Sequence, residues 1–250
     1  MLIILGIMVI TTCCIKRLAH DVKYITKNPL EKENIYYKHD EENILKGYSL
    51  IIGNKNTPYS DGYYFFEFNY PEDYPYEPPV VKFISNDGKM RFNPNLYTNG
   101  KVCLSILNTW QGEGWTSCFT ITSILMILAS ILNDNPLINE PGINKNDKNI
   151  DSYNYLINYK NIEFCILKQL EIISKLETNK YPFLYNFKYF KPIMCEKFKE
   201  NYDSILNNLI TLENNFSKYK EINITIYNIK YCLDIDKLKK NLIKMNNLLK

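Results

Sequence analysis

With 250 residues, 46% of them hydrophobic, the chain has the apolar content for a packed core, which excludes a disordered protein. Its 30 basic and 27 acidic residues leave a formal charge of only +3, and no Lys/Arg block dominates a segment, so nucleic acid is not expected as a partner. The 7 cysteines (13, 14, 103, 118, 165, 195 and 232) form no C-x-x-C pair, and only His20 and His39 could join them, so no metal site is expected. Their odd number, wide spacing and placement in apolar runs such as IEFCILKQL describe reduced thiols, mostly buried small hydrophobes, in a cytoplasmic or nuclear setting.

Residues 1–14, MLIILGIMVITTCC, are strongly apolar and are followed by Lys16-Arg17. They fall short of the about 20 residues that cross a bilayer, and they lack the positive start of a secretory signal. Membrane association through this segment and burial as a core-packing or interfacial helix extension both stay open. From Ile15 to about Thr26, Leu18, Val22 and Ile25 share one face of a predicted amphipathic helix that ends at Asn28-Pro29. The charged EKENIYYKHDEEN leads to three strand-like runs, LKGYSLIIG, GYYFFEFNY and VVKFIS, which predict an antiparallel meander. NKNTPYSDG and PEDYPYEPP between them are turn chemistry, and the prolines of the second forbid a strand or helix through it.

Between Gly88 and Gly114 there is no clear period, and a long irregular loop inside a compact domain is usually functional. The run FTITSILMILASIL then predicts a buried helix, too short to span a membrane comfortably and stopped by NDNPLINEP. Beyond Gly142, DSYNYLINYKNIEFCILKQLEIISKL, MCEKFKENYDSILNNLITLENNF and DIDKLKKNLIKMNNLLK have helical spacing, the last through Leu238, Leu242, Met245 and Leu249. Between the last two, KEINITIYNIKYCL alternates as a strand or a hairpin would.

Cys103 stands in the irregular loop, in RFNPNLYTNGKVCLSIL, directly after a Gly-containing turn where a thiol can meet a macromolecular partner. A cysteine hydrolase would need His20 or His39 as its base. Transthiolation needs less, because the incoming acyl group is already a thioester and the attacking amine is itself the nucleophile.

TPYSDGYYFFEFNYPEDYPYEPPVVKFIS, then RFNPN, Cys103, Trp115 and an apolar helix resemble the core of the ubiquitin-conjugating (E2) enzyme family, in the family's order, over roughly residues 15–160. Asn-Pro-Asn in place of the usual His-Pro-Asn, KVCLSILNTW with an extended loop to Trp115, and NPLINEPG are similar to an atypical subgroup of that family. The resemblance implies an α+β fold, a four-stranded antiparallel meander with an N-terminal helix and C-terminal helices. Residues 1–14 would be a separate apolar segment, 15–160 the E2 core and 161–250 a mainly helical extension.

The resemblance further implies that Cys103 accepts ubiquitin or a ubiquitin-like modifier from an activating enzyme (E1) as a thioester. The modifier would pass to a substrate lysine or a ligase (E3), with no bound cofactor and with ATP used only by the activating enzyme. Asn95 would donate toward the oxyanion or brace the turn. Asn93 and Pro94 would hold local structure, since an Asn amide can donate and accept as the usual His does. Glu140 or Asn139 would orient the acceptor lysine, against the alternative of an exposed acid in a turn before Pro141. Lys16, Arg17, Tyr76, Ser117 and Cys118 match the family's partner-binding positions, and the missing Pro-Ala pair after Ser117 departs from what common RING or HECT ligases meet. Trp110 and Trp115 would line the active-site loop or belong to the core. A non-catalytic ubiquitin-binding variant on the same scaffold would lack the active-site cysteine, which this chain retains.

Overall fold

The computed structural model describes residues 10–175 and 182–249. Residues 1–9 of the apolar N-terminal segment lie outside them, and the membrane expectation attached to that segment rests largely there. Among the described residues, no helix is long and apolar enough to cross a membrane.

Helix α1 (Thr12–Lys27) begins ahead of the predicted Ile15 because the Thr11 side chain accepts the Cys14 amide at 3.1 Å and caps it. The boundary expected after residue 14 therefore lies in the first turn of this helix, where Cys14 joins Leu18, Asp21 and Ile25 on the buried face. Val22 is only half-buried. Asn28 closes the helix with its N–H on the Tyr24 carbonyl, just before Pro29.

Strands β1 (Ile35–His39), β2 (Lys46–Ile52), β3 (Tyr63–Asn69) and β4 (Val80–Phe83) lie side by side in that order, antiparallel throughout. The register sets Leu50 opposite Phe65 and Phe66 opposite Phe83. β1 sits in the charged segment where the residue pattern showed no strand. It is an edge strand with only Ile35 fully buried, so it needs no apolar alternation.

Both faces of β3 are covered, which accounts for its continuous run Tyr-Tyr-Phe-Phe. On one face, the Phe187 ring lies 4.8 Å from Phe65 and 5.4 Å from Tyr48, and the Tyr63 hydroxyl donates to the Met194 carbonyl at 2.9 Å. On the other, Phe66 meets Phe83, and Phe83 meets Phe92 at the start of the irregular loop. Helix α2 (Ile121–Ser130) starts in a capping box made by Thr120 and Ser123 and packs on α1.

Helix α3 (Ile150–Lys160) runs on through a π-helical stretch, Asn161–Lys168, into α4 (Gln169–Lys175). The division expected between residues 160 and 161 falls inside this continuous helix. Asn161, fully buried, accepts from the Tyr64 hydroxyl at 2.6 Å and donates to the Ser60 carbonyl at 2.8 Å. Gly62 is required beside it, because a Cβ there would collide with the Asn161 side chain.

The chain continues through α5 (Lys191–Asn214), α6 (Phe216–Tyr219), the antiparallel pair β5 (Glu221–Ile224) and β6 (Ile229–Cys232), and α7 (Ile235–Leu249). The alternating segment is thus a hairpin, with Asn228 in the left-handed region at φ 51° in its turn. α7 buries Leu238, Leu242 and Met245 and packs on α5.

Because two enclosed partners would lose their bonds, Asn161→Ala is expected to lower the unfolding free energy by about 2–4 kcal/mol. Urea unfolding measures this, and an unchanged midpoint would show that the helix is not anchored at Asn161.

Candidate active site

Five short contacts build the loop around Cys103. The Cys103 N–H donates to the Asn95 carbonyl at 2.9 Å, and Asn95 Nδ2 returns a bond to the Cys103 carbonyl at 2.8 Å. The backbone N–H of Asn95 in turn donates to Asn93 Oδ1 at 2.9 Å. On the other flank, the Thr109 hydroxyl accepts the Leu104 N–H and donates to the Val102 carbonyl, both at 2.9 Å. Residues on both sides of the thiol are therefore tied to one hydroxyl.

Asn93 is fully buried, and its Nδ2 donates to the Tyr59 hydroxyl at 3.0 Å and the Ile131 carbonyl at 2.7 Å. The Tyr59 hydroxyl in turn donates to the Phe92 carbonyl at 2.7 Å. The turn at Asn93-Pro94-Asn95 is thereby fastened to the end of α2 and to the turn before β3. Cys103 is only 2% exposed, so the residue is buried in the wall of the loop and not presented on the surface as its place after the Gly-containing turn suggested. Lys101, Val102, Leu107 and Thr109 of the same loop line an open apolar crevice of about 340 Å³ that Val80 and Val81 complete, and Cys103 itself is not in its lining.

Arg91, Tyr59 and Thr109 were not singled out in the sequence, although Arg91 stands two residues before Asn93. Its Nη2 donates to the Pro94 carbonyl at 2.5 Å and lies 3.8 Å from Glu140 Oε2. The Glu140 carboxylate also accepts the Tyr227 hydroxyl at 2.5 Å. Burial, and then this carboxylate, push the Tyr227 phenol well above its usual range, so it stays a donor. Of the two residues expected to orient an acceptor lysine, Glu140 has its Oε2 held by Tyr227 and Arg91 on a partly exposed side chain, and Asn139 has its Nδ2 buried without a hydrogen-bond partner.

A family model described as ubiquitin-conjugating enzyme matches residues 17–159, more than half of the chain. The chain belongs to this family. It is similar to ubiquitin-conjugating enzyme E2 Z of Xenopus tropicalis, 38% identical over 161 residues, covering 63% of this chain and 51% of that protein. The Homo sapiens E2 Z is 38% identical over 161 residues, covering 63% of this chain and 45% of that protein. A human dual E2 ubiquitin-conjugating enzyme/E3 ubiquitin-protein ligase is 42% identical over 137 residues, covering 51% of this chain and 3% of that protein. The chain spans about half the length of the E2 Z relatives it matches. Among solved structures, a ubiquitin-conjugating enzyme E2 of Plasmodium falciparum matches with TM-score 0.40 and 26% identity, covering 47% of this chain and 96% of that one.

The positions matched to partner binding divide in this E2 core. Lys16, Tyr76, Ser117 and Cys118 are exposed, with Tyr76 at 69%. Arg17 is not free. Its guanidinium donates to the Ser117 and Phe119 carbonyls at 2.6 Å each and to Asp21 Oδ1 at 2.9 Å, pinning α1 to the segment before α2. Trp115 is an anchor as well, donating Nε1–H to the Pro75 carbonyl at 2.7 Å and packing on Tyr74 and Phe119. Trp110 is 43% exposed on the loop that follows Cys103.

Neither histidine is hydrogen-bonded to Cys103, so the geometry does not support either one as the base that a hydrolase reading requires. His20 stands on the exposed side of α1 near Asp21. His39 Nε2 donates to the Ile44 carbonyl at 2.8 Å, leaving Nδ1 to accept from the Tyr37 hydroxyl at 2.8 Å. Burial holds the folded-state His39 pKa below its ordinary 6.5, despite the opposing bond to Ile44. The unfolded chain therefore takes up a proton that the folded chain refuses. The contribution of His39 to stability is whole above pH 6.5 and is lost as pH falls through the folded-state value. Urea midpoints measured against pH should decline below pH 6.5, and His39→Gln should flatten that decline.

Proposed function

We propose that this chain is an active E2 that carries ubiquitin or a ubiquitin-like modifier as a thioester on Cys103. The Cys103 thiolate attacks the thioester carbonyl presented by an activating enzyme, and the enzyme's own thiolate leaves. ATP is consumed by that partner, and the chain itself uses no bound cofactor. In the second step, a lysine amine attacks the Cys103 thioester, or a ligase thiol does so. The tetrahedral oxyanion then collapses and expels the Cys103 thiolate.

The observation that carries this reading is the reciprocal pair between Asn95 and Cys103 in a chain of this family. Nδ2 of an asparagine carries two N–H bonds. One braces the Cys103 carbonyl, and the other is left for the oxyanion that forms on the acyl carbon bonded to Cys103 Sγ. The two roles the sequence left open for Asn95 are thus compatible. The exposed residues Lys16, Tyr76, Ser117 and Cys118 form the surface proposed for the activating enzyme and ligases. Cys118 after Ser117 narrows the set of ligases that can dock.

A charging assay with activating enzyme, ATP and ubiquitin, read on a non-reducing gel, tests this. An adduct cleaved by thiol reductant should form with the full chain and be absent from Cys103→Ala. An adduct that survives Cys103→Ala, or none with any modifier and cognate activating enzyme, sinks the reading. Asn95→Ala should charge within about twofold of the parent and discharge to lysine about a hundredfold more slowly. An equal loss in both steps would assign Asn95 to bracing alone.

A further inference from the structure

The β5–β6 hairpin reaches the active-site loop from far along the chain. Tyr227, in its turn, lies 4.8 Å from the Arg91 guanidinium, and Tyr97 lies 3.9 Å from the same group. Tyr153, on α3, packs on Tyr227 at 5.8 Å between ring centroids and donates its hydroxyl to the Arg91 carbonyl at 2.7 Å. A second foothold comes from β6, where Tyr231 lies 5.0 Å from the Lys160 ammonium. Lys160 is ion-paired at 2.9 Å with Asp87, at the start of the irregular loop. The hairpin therefore grips that loop at two places.

Arg91 is the point through which the grip acts. Its Nε is buried with no hydrogen-bond partner, so the guanidinium is oriented by the rings beside it and by its contacts to Pro94 and Glu140. A planar guanidinium held in this way has little rotational freedom. The carbonyl it fixes belongs to Pro94, whose peptide plane also contains the backbone nitrogen of Asn95. Rotation of that plane would carry the Asn95 side chain away from Cys103. Glu140, whose carboxylate accepts the Tyr227 hydroxyl, closes the network.

We propose that Tyr227 and Arg91 are positioning residues for the transfer step, and that the hairpin completes the active site in cis from beyond the part of the chain the family model matches. The inference rests on the reading of Cys103 and Asn95 above. Charging requires only that the thiol be reachable, whereas transfer requires the Asn95 amide to meet the oxyanion at hydrogen-bond distance. Loosening the grip should therefore slow the second step and spare the first.

The test uses the full chain and its Tyr227→Ala, Tyr227→Phe and Arg91→Lys variants, each charged with ubiquitin. Single-turnover discharge is then followed at several free-lysine concentrations. Tyr227→Ala should lower the maximal discharge rate about tenfold, with charging and the half-saturating lysine concentration unchanged. Arg91→Lys, which keeps the charge and loses the planar fork, should behave alike. Tyr227→Phe keeps the ring and should restore most of the rate. Discharge unchanged in all three variants overturns the proposal, as does parallel loss of charging and discharge, or an effect confined to the half-saturating concentration. Failure of the parent chain to charge would instead refute the underlying reading of Cys103, so the two failures are distinguishable.

Discussion

The side-chain amide of Asn93 ties three parts of the chain together at one buried point. It donates to Tyr59 and to Ile131 and accepts from the backbone of Asn95. Left unmet in this enclosed place, each group would cost about 1–3 kcal/mol, so the loop has one favourable arrangement rather than several. A histidine ring offers at most one group at each of two nitrogens, whereas an amide offers two donors and an acceptor from a compact head. Asparagine at this position is thus a sufficient substitute for the usual residue of the motif. The placement of Asn95, and through it of Cys103, depends on this amide.

The chemistry proposed for the site asks for placement more than for activation. Exchanging one thioester for another makes and breaks the same kind of bond, so neither a metal nor a charged base has to supply the driving force. What the protein must supply is a thiol held in a wall, a donor near the future oxyanion, and a peptide plane that does not rotate. Thr109 fixes the backbone on both sides of the thiol, and Asn95, bonded to the Cys103 carbonyl, is the donor proposed for the oxyanion. The same logic explains why the histidines can be used elsewhere, with His39 locked between Tyr37 and Ile44.

Local periodicity made much of the fold legible in the sequence. Three strands, α1, α2 and the apolar face of α7 follow from the spacing of apolar residues and from Thr, Asn and Pro at their ends. β1 was not legible, because an edge strand with one buried residue leaves no pattern among charges. Arg17 illustrates a different limit. Its resemblance to a docking residue is a statement about position, while its use is decided by the carbonyls of Ser117 and Phe119 and the carboxylate of Asp21. Only folding brings the two carbonyls near. Glu140 is similar, since a turn acid before a proline gives no hint that a tyrosine from the C-terminal hairpin will meet it. Arg91 and Thr109 lie within the motif region, yet their roles depend on which backbone carbonyls the loop turns inward.

The segment beyond the matched family region does more than lengthen the chain. Phe187 and the Met194 carbonyl cover the face of β3 that carries Phe65 and Tyr63, so the continuous aromatic run in that strand fits this chain only with the later segment in place. A contiguous aromatic face of that kind would otherwise be exposed to water. The same later segment leads on through α5 to the hairpin that sets Tyr227 on Arg91. Burial of the sheet and orientation of the loop around Cys103 are therefore linked through one stretch of chain. The aromatic contacts that hold this stretch on β3 also fix where its far end arrives. A change that loosened the sheet face could thus alter the active-site loop without touching any residue near the thiol.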